Sequence, residues 1–214
     1  MKTINLIIVL MGIYMGLNAQ SGKFQQAMLS NLEKGKTAKG ITELQDIANS
    51  FERIAMSEKT QWTPWYYAAL YNISASVDEA DAEKKMQIIT KAHKMVDEGL
   101  KIKSDETELM VLKVMCYFME MSVDQMRAME LMPTAYGLLE QAKSINPENP
   151  RIYLTHTEAV YNTPEAFGGG KANALPIVLT AKEKFDKFVL PNQLAPDWGK
   201  DRCETILADC QTAK

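Results

Sequence analysis

The sequence has 214 residues, of which 46% are hydrophobic and 24% charged, with a formal net charge of −3. Mild acidity without a basic cluster excludes nucleic acid as an expected partner. The three cysteines cannot all pair and show no zinc spacing, which excludes a disulfide scaffold and a structural zinc domain.

Residues 1–19, MKTINLIIVLMGIYMGLNA, set one lysine before an apolar run from Ile4 to Leu17, with the small Ala19 ahead of Gln20. This is the layout of a secretory signal peptide. The run is short for a membrane span, which needs about 20 residues. No cysteine follows the expected cleavage point, so no lipid anchor is expected. The expected mature protein, 20–214, is one exported helical domain, periplasmic or secreted, that does not span a membrane. Its length, about 195 residues, is enough for a sizeable core. Losing Lys2 takes the formal charge from −3 to −4.

Apolar residues recur at helical spacing through the rest of the chain. Gly22 to Lys36 and Ile41 to Glu58 form a first helix pair across a polar break at Gly35–Gly40. Thr63-Pro64 opens a helix rich in aromatics, since proline is tolerated in a first turn. Asp81 to Ile102 is a long helix on which His93, flanked by lysines, is expected to be solvated. Thr107 to Met121 is apolar around most of its circumference, which places it at the centre of the array. Cys116 lies in this run and is expected to be a buried thiol. Seven of the fourteen methionines fall between 110 and 132. Met126, Met129 and Met132, three residues apart, suit Cu(I) in principle, but an adaptable core or groove lining is the expected role. Arg151 to Tyr161 and Lys171 to Leu190 form the last pair, separated by the loop TPEAFGGGK. Its three glycines either make a structural turn or cradle an anion. Trp198 to Gln211 is a terminal cap. Cys203 and Cys210 would lie about 10.5 Å apart along a straight helix, beyond the roughly 7 Å a disulfide tolerates, so they pair only if the chain bends between them.

A small–large–small pattern repeats in the second helix of each pair. Ala135, Leu139 and Ala142 share one face and Pro147 follows; Ala92, Val96 and Gly99 repeat the spacing, as do Ala174, Val178 and Ala181, and more loosely Ile47, Phe51 and Ile54. The starts, at 47, 92, 135 and 174, are 45, 43 and 39 residues apart. In the first helix of the second unit, Trp65 precedes Ala68 and Ala69. These positions resemble the tetratricopeptide repeat (TPR), with its aromatic-then-small first helix and its A-x3-F…P second helix. The chain resembles exported TPR-like proteins of the Bacteroidetes type. Its P-x-x-x-GG turn is similar to one in the TPR-like periplasmic subunits of TRAP transporters.

The expected fold is therefore all-α: an α-α superhelix of about four TPR-like antiparallel pairs plus a C-terminal capping helix. Trp65, Ala68, Ala69, Ala92, Gly99, Ala135, Leu139, Ala142, Pro147, Ala174 and Ala181 are its expected packing positions. Stacked pairs curve into a concave groove. The resemblance places Tyr66, Leu70, Val111, Met115, Phe118, Leu154, Glu158 and Tyr161 on that groove, with Gly168, Gly169 and Gly170 as a further ligand-facing candidate. The lysines and asparagines that clamp a peptide carboxylate in some TPR domains are missing from this set. No catalytic, cofactor or metal residues are expected. His156 and Glu158 would need a third group and a pocket to act as an acid–base pair. The expected function is a non-catalytic protein- or peptide-binding scaffold in the bacterial cell envelope. The alternative is a periplasmic small-ligand-binding protein, such as a transporter accessory.

Overall fold

The computed structural model describes residues 22–212, so the expected signal peptide lies outside the described residues. Among the described residues there are nine α-helices and no strand. They are α1 (22–37), α2 (Gly40–Ser57), α3 (Thr63–Val77), α4 (Ala82–Ile102), α5 (Thr107–Val123), α6 (Ala128–Ile145), α7 (Pro150–Asn162), α8 (Lys171–Lys187) and α9 (Lys200–Thr212). Consecutive helices pack against one another, giving an all-α superhelix of paired helices.

Local chemistry sets the starts. Asp81 accepts hydrogen bonds from the backbone of Glu83 and Lys84, both 3.0 Å, capping α4. Asn149 caps α7 through Arg151 N at 2.9 Å, with Pro150 in the first turn. The expected break at Gly35–Gly40 shrinks to 38–39, because α1 continues through Gly35. A Cβ there would lie 1.8 Å from the Tyr71 hydroxyl, so the missing side chain makes room for α3 instead of ending a helix. Gly99 acts similarly, since its Cβ would meet both Leu109 methyls at 2.9 Å.

The first helices of successive pairs form an inner layer in which α3 touches α5 and α5 touches α7. The apolar α5 also packs on α4 and α6 and is the central helix. Ala68, Ala69, Ala92, Ala135, Ala142, Ala174 and Ala181 are fully buried and Leu139 nearly so. Trp65 is half-buried and Pro147 is exposed just beyond the end of α6.

Three core clusters follow one another along the array. The first surrounds Phe51 and Tyr67 on α2 and α3, the second joins Val111, Ala135 and Ile152, and the third joins Leu154, Val178 and Ile206. Trp198 packs against all three. It belongs to an irregular strap, 188–199, that crosses back over the inner layer. Trp198 Nε1 donates to the Tyr66 hydroxyl at 2.6 Å, and the Tyr67 hydroxyl donates to Leu194 O at 3.1 Å. Arg151, fully buried, donates to Pro196 O and to Glu108 Oε1 at 3.1 Å, with its guanidinium against the Phe188 and Trp198 rings.

Candidate functional site

Beyond the strap, the inner layer opens into a cavity of about 1020 Å³. Four helices supply its walls in short stripes. Ile73 and Val77 come from the end of α3; Met115, Phe118, Met119, Met121 and Ser122 from the second half of α5; Ala128, Met129 and Met132 from the start of α6. The stripe on α7 is Thr155, Glu158, Ala159 and Asn162, at offsets of three, four and seven that share one helix face. Gln125 and the segment Thr163, Pro164 and Phe167 complete the rim. Five of the fourteen methionines line this one space. Flexible thioether side chains adapt to irregular apolar shapes. The volume is at the upper end of ordinary ligand pockets, about 300–1,000 Å³.

Of the residues expected on the groove, Met115, Phe118 and Glu158 line the cavity. Tyr66, Val111 and Leu154 do not: all three are fully buried. The strap explains this correction. Tyr66 is capped by Trp198, Val111 lies in the cluster that Trp198 closes, and a Cβ on Gly199 would meet a Leu154 methyl at 2.9 Å. The strap thus fills the groove over the N-terminal halves of the first helices and leaves the C-terminal halves open. On α3 the open positions, Ile73 and Val77, are seven residues beyond Tyr66 and Leu70 on the same face. Leu70 is half-buried against the first core cluster. Tyr161 donates to Asp209 Oδ2 at 2.5 Å, a carboxylate it shares with Lys171.

The glycine loop takes the structural of its two expected forms. An anion cradle needs unspent N–H groups, and here all three are used. Gly168 N donates to Glu165 O at 2.9 Å, Gly169 N to Pro164 O at 3.2 Å and Gly170 N to Val160 O at 2.9 Å. Asn173 adds donors to the carbonyls of Gly168 and Gly169. A Cβ on Gly169 would lie 2.1 Å from Thr163 O, so the loop folds on its own backbone and none of the three glycines lines the cavity. The neighbouring Phe167 does line it, and its ring is 82% exposed at the rim.

Neither histidine faces the cavity. His93, expected to be solvated, is half-buried against Glu120, which Arg127 also holds. Burial and then the nearby Lys113 lower its pKa. His156 faces a separate shallow groove of about 530 Å³ with Lys143, Tyr153 and Lys184. Burial lowers its pKa as well. It therefore points away from Glu158, and the two do not form an acid–base pair. Met126 and Met129 are 88% and 91% exposed, and Met129 and Met132 line the cavity. Among the described residues no three His, Cys, Asp or Glu side chains are grouped to hold a metal ion, and no helix is long and apolar enough to cross a membrane.

The chain matches no family of protein sequences and no curated protein. In structure it is similar to the HusA haemophore from Porphyromonas gingivalis, with a TM-score of 0.78 and 25% identity over 89% of this chain and 95% of that one.

Proposed function

We propose that this chain is an exported, non-enzymatic carrier that takes a flat, largely apolar macrocycle of the porphyrin class into its methionine-lined cavity. One observation carries the reading. An open cavity of about 1020 Å³, lined by five methionines and two phenylalanines, sits in a fold similar to that of a haemophore. Burying apolar ring surface releases about 25 cal/mol per Å², and methionine makes favourable contacts with aromatic faces. Thioether sulfur is also an accepted axial donor to haem iron. Haem here is cargo, and no imidazole lines the space meant for it. The signal-like first nineteen residues support export.

The test is titration of the mature protein with haemin, followed by its Soret band and by tryptophan quenching. Ala159, half-buried on the cavity wall, is the position for a blocking variant. Ala159→Trp fills the space and is expected to weaken binding at least tenfold, a loss of about 1.4 kcal/mol. Absence of haemin binding by the unmodified chain, or equal binding by the variant, overturns the proposal.

A second reading is favoured by the rim. Val77, Met129 and Phe167, which line the cavity, are 58%, 91% and 82% exposed, an arrangement suited to a partner surface. Under this reading the chain is a TPR-like scaffold whose mouth docks a polypeptide. Native mass spectrometry of protein purified from its host separates the two. Added mass of a few hundred daltons supports the carrier, and added mass of a polypeptide supports the scaffold.

A further inference from the structure

We infer that Arg202 is the anchor for an anionic edge of the cavity's ligand, binding it through its two terminal nitrogens while its Nε stays on Glu158. The inference rests on the porphyrin-class reading above. Glu158 is the one charged side chain lining the cavity among the described residues. Its side chain is 28% exposed, which puts the carboxylate at the mouth and not on the floor. Arg202 reaches it from α9, with Nε donating to Glu158 Oε1 at 2.9 Å. That bond uses the inner nitrogen only. The two terminal nitrogens of Arg202 have no protein partner among the described residues, and the side chain is 48% exposed. A guanidinium in this state presents a planar fork that matches a carboxylate.

The rest of the lining fixes which way a ligand lies. Thr155, Glu158 and Asn162 run along α7 as a polar seam, and the Thr155 hydroxyl is buried without a partner. The other elements contribute mainly apolar side chains, Ile73, Phe118, Met119 and Met132 among them, with Ser122, Gln125 and Thr163 as the polar exceptions. A ring with carboxylates on one edge therefore seats its faces against the methionines and turns its acid edge to the α7–α9 side. An unneutralised Glu158 would repel that edge. The other arginine near the mouth, Arg127, is held by Glu120 and Glu130. Arg202 is thus the cation positioned to receive the ligand.

The test compares protoporphyrin IX with its dimethyl ester, which has the same ring without the charges, on the full mature chain. Arg202→Gln is expected to weaken the diacid roughly five- to tenfold, the scale of one charge-assisted contact, and to leave the ester unchanged. Arg202→Lys should recover part of the loss. Glu158→Gln should strengthen the diacid about two- to fivefold, the scale of one screened like-charge contact, without affecting the ester. Unchanged diacid binding by Arg202→Gln overturns the inference. So does an equal loss for both probes, which would mean that Arg202 only holds α9 in place. Failure of the unmodified chain to bind either probe overturns the porphyrin reading itself, and this inference with it.

Discussion

Replacing Arg151 with methionine tests the buried contact between Arg151 and Glu108. Methionine keeps much of the aliphatic stem and removes the charge. Three kinds of contact are lost: the bond to Glu108 at 3.1 Å, the bond to Pro196 O, and the packing of the guanidinium 4.8 Å from the Phe188 ring and 5.5 Å from the Trp198 ring. Breaking one side of a buried pair ordinarily costs about 3–5 kcal/mol, because the surviving charge stays buried. Here the survivor has an escape. Burial raises the Glu108 pKa from 4.5 to about 7, with Arg151 opposing that rise. Without the arginine the carboxyl climbs further and is neutral at neutral pH. The charge penalty then falls away, leaving the lost carbonyl bond and two stacking contacts, together about 3 kcal/mol.

The pH dependence separates this account from a simple packing defect. A carboxyl whose folded pKa is raised stabilises the fold fully below its unfolded pKa, and that contribution is lost as pH rises through the folded value. In the wild type this loss spans the interval from 4.5 to about 7. In Arg151→Met it continues to higher pH, at about 1.4 kcal/mol per unit. Urea melts should therefore show a gap near 3 kcal/mol at about pH 6, widening by ~2 kcal/mol at about pH 8.5. Thermal melts should fall by roughly 6–12 °C at the lower pH. A gap below about 1 kcal/mol, or one that does not change with pH, refutes the reasoning.

Ala142 is fully buried and Gln141 exposed. Ala142→Phe should cost about 1–3 kcal/mol and Gln141→Phe little, and similar urea midpoints would mean the small-residue register is misplaced. Gly169→Ala should destabilise by about 1–3 kcal/mol, since its Cβ meets unyielding backbone at Thr163. Gly137→Ala, in α6 with nothing within 4 Å, should instead stabilise by about 0.5–1 kcal/mol in the same melts. All three cysteines are buried and free, and burial raises the Cys203 thiol to about 11 and pushes Cys116 higher still. A thiol-specific reagent at mildly alkaline pH should label none in the native protein and all three in denaturant.

Helix positions were legible because most helices repeat their apolar residues on one face, a signal contained within a single turn-to-turn window, and α5 stands out by being apolar nearly all round. The packing alanines were legible for the same reason. What local pattern could not supply was the company each face keeps. His93 has lysines beside it in sequence, yet its partner Glu120 comes from the next helix of the array. Gly35 has the composition of a break, and only the arrival of Tyr71 shows why it sits inside a helix. The groove residues failed in one direction: Tyr66, Val111 and Leu154 were lost to the strap, an irregular segment whose sequence has no periodicity to announce where it lies. The stripe at Thr155, Glu158, Ala159 and Asn162 was present in the spacing, but its mixed polarity gave no reason to prefer it.

Linear arrays of helix pairs fray from their ends, because each unit leans only on its neighbours. The bonds from Leu194 and Trp198 back to Tyr67 and Tyr66 join positions 127 and 132 residues apart in the chain. They tie the segment that follows the last pair to the second pair, leaving only α1, α2 and α9 outside the closure, so loss of the last pair is felt in the second. The chain's folding waits on a long loop closure that nearest-neighbour stacking does not require.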